Sequence, residues 1–191
     1  GDTVSLVMPN GLGTLQLLLG ALHGGWCVNP VNLLSQAEQM RYVLEHSDCT
    51  LILASGEWVD KVKALSPRAP VLAVDHDQLV LPDEPTLTPA PRPEATALLM
   101  YTSGTTGRAK GVQMTHQGLM YMRLCESLEP TMQWRDEDVL LMVMPNFHLL
   151  GASLPIQSMY NGSTVSIMPL FEPGKLLQLI QSTRPTILVL A

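Results

Sequence analysis

Short apolar runs alternate with longer amphipathic stretches along most of this chain, and the alternation predicts strands separated by helices. Thr3-Val4-Ser5-Leu6-Val7-Met8 has the length of a buried strand, and Pro9-Asn10-Gly11 closes it. From Leu12 to His23 the apolar positions Leu15, Leu18, Leu19 and Leu22 fall at helical spacing, and Gly24-Gly25 ends the run. Trp26-Cys27-Val28 reads as a second strand that turns at Asn29-Pro30. Ser35 with Glu38 three residues later predicts a capping box opening a helix that runs to about Glu45. Thr50-Leu51-Ile52-Leu53 reads as a third strand, Glu57 to Leu65 as a short helix, and Val71 to Val74 as a fourth strand.

The second half repeats the pattern. The apolar run Ala97 to Met100 reads as the end of a buried strand, and Val112-Gln113-Met114 as a short one. Thr115 is placed to cap a helix from His116 to about Leu128. Asp138 to Met144 reads as a strongly apolar strand, Ser153 to Asn161 as a helix, and Thr164 to Ile167 as a strand. Pro173 suits the first turn of a helix that carries Leu176, Leu177 and Ile180, and Arg184-Pro185 stops it before a last strand, Thr186 to Leu190. The expected class is α/β, with mostly parallel sheets and helices on their faces. One compositional break interrupts it. Five prolines between Pro82 and Pro93 cannot continue helix or sheet. The expected organisation is therefore an α/β portion over residues 1–81, an extended connector over 82–94, and a second α/β portion over 95–191.

Composition narrows the classes of function. The 191 residues are 46% hydrophobic and 15% charged, with a net charge of −6, which suits a sizeable core and argues against a nucleic-acid surface. Cys27, Cys49 and Cys125 are widely spaced with no C-x-x-C, so the expectation is free thiols in a reducing, cytoplasmic compartment. No apolar run reaches the roughly 18 residues of a membrane span, which leaves peripheral membrane contact open. His23, His46 and His76 have no partners at metal-ligand spacing and read as surface or cap residues, so no protein metal site is assigned. The eleven methionines read as core filler.

Candidate chemistry concentrates in Tyr101-Thr102-Ser103-Gly104-Thr105-Thr106-Gly107-Arg108-Ala109-Lys110-Gly111, directly after an apolar run. Glycines bring backbone N–H groups close to an anion, hydroxyls add donors, and a lysine adds charge. The spacing is not that of G-x-x-x-x-G-K-[ST], nor of G-x-G-x-x-G. From the residues alone the stretch is either a phosphate-holding loop or a polar surface loop.

The whole string resembles the signature loop of the adenylate-forming enzymes, which include acyl-CoA synthetases, peptide-synthetase adenylation domains and luciferases. Ala109 stands where that family usually has proline. The segments Gly1-Asp2-Thr3-Val4, Leu19-Gly20-Ala21-Leu22 and Val28-Asn29-Pro30-Val31-Asn32 also resemble the opening of the family's large N-terminal domain, whose scaffold they build. Pro145-Asn146-Phe147-His148-Leu149-Leu150-Gly151 resembles the motif at the floor of the family's carboxylate pocket, and histidine at this place is typical of acyl-CoA synthetases and luciferases.

The resemblance implies a fragment of a carboxylic acid:CoA ligase that uses ATP, Mg2+ and coenzyme A on a small carboxylic acid. Thr102, Ser103, Gly104, Thr105, Thr106, Gly107 and Lys110 would hold the ATP phosphates. Phe147, His148 and Gly151 would wall the acyl site, with His148 as the candidate catalytic or gating side chain. The chain stops just past an apolar strand, so truncation is expected. The regions that read adenine and ribose, the hinge and the C-terminal domain with its lysine would then lie beyond it, and the fragment alone would be inactive. The alternatives are an adenylation domain that loads a carrier protein and a non-catalytic α/β nucleotide-binding module.

Overall fold

Each short apolar run becomes a strand and each amphipathic stretch a helix. The structure is a computed structural model, and it describes residues 2–77, 89–102 and 108–190. In chain order the elements are β1 (Thr3–Val7), α1 (Leu12–His23), β2 (Cys27–Pro30), α2 (Ala37–His46), β3 (Cys49–Ala54), α3 (Trp58–Ala64), β4 (Val71–Ala73), β5 (Thr96–Thr102), β6 (Lys110–Thr115), α4 (His116–Leu128), β7 (Val139–Met142), α5 (Leu149–Tyr160), β8 (Thr164–Ile167), α6 (Pro173–Thr183) and β9 (Ile187–Leu188). The connector expected over residues 82–94 lies mostly outside the described residues.

The strands form two sheets, ordered β4-β3-β1-β2-β5-β6 and β8-β7-β9. Every neighbouring pair is parallel except β5 and β6. The connection between those two is too short for a parallel crossover, so they pair as an antiparallel hairpin at the sheet edge.

β1 shows why the first sheet is covered on both faces. Val4 and Leu6 join one core cluster with Leu15, Leu18 and Leu22 of α1 and with Ala152 and Ile156 of α5. Val7 joins a second cluster with Met40, Val43 and Leu44 of α2 and Val62 of α3. This is the period-two alternation of a strand, with apolar residues on both sides because helices cover both. Leu141, Val143, Met168 and Leu176 make a third cluster between the second sheet and α6.

Several local expectations are realised. The Thr115 hydroxyl caps α4, accepting from the Gly118 N–H at 3.0 Å. Pro173 stands in the first turn of α6, and Arg184 ends that helix in the left-handed region at φ 46°. Other expectations are corrected. The Ser35–Glu38 capping box does not form, and α2 begins at Ala37 with no side-chain cap. Asn32 takes the local donors instead, its side-chain oxygen accepting from Leu34 N–H at 2.8 Å and its carbonyl from Ser35 N–H at 3.2 Å. Ser35 is thus spent in a turn, as Asn side chains favour.

The strand expected over Asp138–Met144 covers only Val139–Met142. The Asp138 carboxylate closes a turn by accepting from Arg135 N–H at 2.7 Å and from the Thr186 hydroxyl at 2.7 Å. The helix expected from Ser153 begins at Leu149, because His148 adopts an extended cap conformation. The last strand shrinks to Ile187–Leu188.

Candidate functional site

β5 runs through the first sheet with Ala97, Leu98 and Met100 buried, and it delivers Tyr101 and Thr102 to its carboxyl end. β6 returns from Lys110, so that Tyr101 pairs with Gly111 and Thr102 with Lys110. Ser103, Gly104, Thr105, Thr106 and Gly107 lie outside the described residues. Thr102 and Lys110 are both exposed and stand opposite each other at the end of the hairpin. Gly111 lies against the side chains of Leu99 and Tyr101. A Cβ at that position would stand 3.3 Å from the Tyr101 ring and 2.9 Å from the Leu99 side chain.

Beside these strand ends sits α2. The Tyr101 hydroxyl is hydrogen bonded to His46 Nδ1 at 2.8 Å, and the two rings meet edge-on with centroids 5.8 Å apart. Tyr42 lies one turn before His46 with ring centroids 5.2 Å apart, and the Arg108 guanidinium lies 5.9 Å from the Tyr42 ring. Burial pushes the Tyr101 phenol up to about 12, so it keeps its proton at neutral pH.

A cleft of about 690 Å³ opens here. Pro30 at the end of β2, Asn32 just past it, Ser35, Glu38, Gln39 and Tyr42 of the α2 region, Tyr101, Thr102, Arg108 and Ala109, and Phe147 after β7 line it. Lys110 is not among the lining residues, whereas Arg108 is. A second hollow of about 390 Å³ is apolar and lies on the other side of Phe147. Its walls come from Met8–Asn10, Leu33–Leu34, Val143–Phe147, Pro169–Phe171 and Leu190, each just past a strand or short loop. Both volumes fall in the range of roughly 300–1,000 Å³ of small-molecule sites. Both cavities gather at the carboxyl ends of parallel strands, where open α/β sheets bind ligands.

The turn between β7 and α5 holds the other expected residues. Half-buried Phe147 faces both cavities. His148 is exposed at the N-cap of α5, where its Nδ1 accepts from Leu150 N–H at 3.4 Å, and it lines neither cavity. Gly151 is buried, and any Cβ there would stand 1.9 Å from the Pro145 carbonyl oxygen. The glycine lets the first turn of α5 press against that carbonyl, which also accepts from His148 N–H at 2.9 Å.

The site has a further support that sequence reasoning missed. Buried Asn10, just past β1, donates to the carbonyls of Met144 at 3.0 Å and Met168 at 3.3 Å. Its side-chain oxygen accepts from Asn146 N–H at 2.9 Å, and Asn146 Nδ2 donates to the Met8 carbonyl at 3.0 Å. The paired asparagines tie the end of β1 to the ends of β7 and β8. The residues around Tyr42 and His46 were also missed. Their only sequence signal is the i, i+4 spacing of two rings on one helix.

Among the described residues, Asp75, His76 and Asp77 are the one group whose ligand atoms could hold a metal. Asp75 Oδ1 there already accepts from Asp77 N–H at 2.8 Å, as in an ordinary polar turn. Also among the described residues, no helix is long and apolar enough to cross a membrane.

Comparison with known proteins fits this geometry. The family model described as AMP-binding enzyme matches residues 1–191. A sulfoacetate–CoA ligase from Cupriavidus necator is 38% identical over 184 residues, covering 89% of this chain and 35% of its own length. A 4-coumarate–CoA ligase from Arabidopsis thaliana is 29% identical over 100% of this chain and 36% of its own length. The chain thus spans about a third of the length of these relatives. The crystal structure of ATP-bound MatB from Rhodopseudomonas palustris superposes with a TM-score of 0.84 at 23% identity, covering 98% of this chain and 39% of that one. At that identity the superposition speaks for the fold.

Proposed function

We propose that this chain, which belongs to the AMP-binding enzyme family, is part of an ATP-dependent carboxylic acid:CoA ligase. The observation that carries the reading is the pairing of two cavities at one set of strand ends. The more polar one bears Thr102 and Arg108 from the ends of the β5–β6 connection, the apolar one combines buried Met8 and Val143 with exposed Leu34, Leu170 and Phe171, and Phe147 stands between them. A triphosphate suits the first, and the carbon skeleton of an acid suits the turn at residues 147–151. The two CoA ligases among the relatives support the same reaction class.

In the proposed reaction a carboxylate oxygen of the acid attacks the α-phosphorus of ATP, and the bond to pyrophosphate breaks. The sulfur of coenzyme A then attacks the acyl carbon, losing its proton, and AMP leaves. No side chain of the protein forms a covalent bond. The residues serve by holding the reactants in line and balancing phosphate charge. Thr102 would donate its hydroxyl to a phosphate oxygen. Lys110 would add charge from the opposite strand, with Ser103, Gly104, Thr105, Thr106 and Gly107 completing the phosphate contacts. Mg2+ would arrive on the ATP phosphates and neutralise part of their charge. Phe147, His148 and Gly151 would border the acyl group, Gly151 by the close packing that sets the turn. Cys27, Cys49 and Cys125 are free, which suits a reducing, cytoplasmic setting.

The test is acid-dependent ATP–pyrophosphate exchange by the full-length protein, with a panel of short, aromatic and long-chain acids, followed by addition of coenzyme A or of a phosphopantetheinyl carrier protein. Exchange with at least one acid and thioester formation on coenzyme A are expected. Acyl transfer to the carrier alone, or no exchange with any acid, would overturn the reading.

A further inference from the structure

We propose that Tyr42 and His46, one turn apart on α2, are positioning residues that hold both ends of the β5–β6 connection ready for a triphosphate. The proposal rests on the ATP-dependent reading above.

The geometry forms a continuous chain of four side chains. Arg108 lies over Tyr42, Tyr42 packs against His46, and His46 is hydrogen bonded to Tyr101. Tyr101 is the last residue but one of β5, and Arg108 stands two residues before β6. One helix face therefore holds both sides of the connection. The Thr102–Lys110 pair is the last of the hairpin. A terminal pair frays unless something outside the ladder holds it. α2 can supply that hold because Met40, Val43 and Leu44 root it in the core. Tyr101 and Ala109 pack against the same cluster, one from each side of the connection.

Location separates this role from ordinary packing. His46 is exposed, so its bond to Tyr101 adds little to global stability. The groups it steadies, Thr102 and Arg108, face the cleft at the end of β5. Fixing them before ligand arrives lowers the ordering cost of binding. The effect of losing the contact should therefore appear in ATP affinity rather than in melting temperature. The protonated Tyr101 phenol is suited to this contact over the whole neutral range.

The experiment uses the full-length protein with His46→Ala, His46→Asn, Tyr101→Phe and the double variant His46→Ala/Tyr101→Phe. Asparagine is the conservative test, since its amide sits at the same reach from Cα as imidazole Nδ1. The expected result is a rise of about three- to tenfold in KM for ATP in each of the alanine and phenylalanine variants. The double variant should be no worse than either single, the asparagine variant should recover most of the loss, and KM for the acid should not move. Melting temperatures should stay within about 2 °C. Amide hydrogen exchange of residues 109–112 in the unliganded protein should quicken in His46→Ala. Additive losses, an unchanged KM for ATP, or losses that follow the melting temperature would overturn the proposal. Should the wild type show no exchange activity with any acid, the ligase reading falls, and the hydrogen-exchange measurement decides this one by itself. Unchanged exchange at 109–112 would then overturn it.

Discussion

Asn10→Ala should cost far more than a polar-to-alanine change past a strand end ordinarily does. The side chain makes three hydrogen bonds in a buried place, two donated to Met144 and Met168 carbonyls and one accepted from Asn146 N–H. Asn10 itself is 4% exposed. A typical internal hydrogen bond is worth about 1 kcal/mol net, and a buried partner left unpaired costs about 1–3 kcal/mol. Three such losses, softened by some relaxation, predict about 3–5 kcal/mol. That is a large part of the roughly 5–15 kcal/mol that holds a domain together. Asn10→Asp keeps the shape but turns the donating nitrogen into an acceptor that faces two carbonyls. The introduced carboxylate would be buried, and its pKa would rise in the folded state. Its penalty is therefore full at neutral pH and shrinks as pH falls through that raised value. Urea denaturation, followed by tryptophan fluorescence and far-UV circular dichroism, measures both variants. A loss below about 1 kcal/mol for Asn10→Ala, or an aspartate variant no worse than alanine at pH 7, would refute the reasoning.

Three further outcomes follow from the same structure. Gly151→Ala should destabilise by at least about 2–3 kcal/mol, because its Cβ would stand 1.9 Å from a backbone oxygen that cannot swing away. The gain of up to about 1 kcal/mol from replacing a helical glycine does not offset that, and a loss under about 1 kcal/mol in urea denaturation would contradict it. Asp138 should make stability acid-sensitive: hydrogen bonds from Thr186 and from Arg135 N–H hold its carboxyl below the usual value of 3.8. Its contribution is present above the unfolded value and lost as pH falls through the lowered folded one. Asp138→Asn should flatten the fall of melting temperature below about pH 4, and an unchanged acid slope would count against the role. Lys110→Ala removes an exposed side chain, so it should leave melting unchanged while reducing ATP–pyrophosphate exchange about ten- to hundredfold in the full-length protein. Undiminished exchange would remove Lys110 from the phosphate contacts.

The parts legible in the sequence are those decided within a few residues. α1 and β8 have the bounds that their apolar spacing predicts. Thr115 and Pro173 act at helix starts as their chemistry requires. The capping box did not form, and the Ser35 N–H that it would have used donates to the Asn32 carbonyl instead. The start of α5 was missed because a histidine cap gives no strong signal, and the close approach that needs Gly151 is to a carbonyl six residues back.

Sequence alone therefore determined the α/β alternation, the short strands on either side of the Gly/Thr-rich stretch, and the resemblance that the family match bears out. The tertiary structure decided how those pieces meet. It placed β5 beside β2, set Phe147 between two cavities, and brought α2 against both ends of the β5–β6 connection. It also joined Asn10 to residues 134 and 158 positions away. The reason is physical. Periodicity and capping are local and leave a pattern in the chain, whereas a hydrogen bond between distant segments depends on how sheets stack, and an asparagine that makes three of them reads like one that makes none.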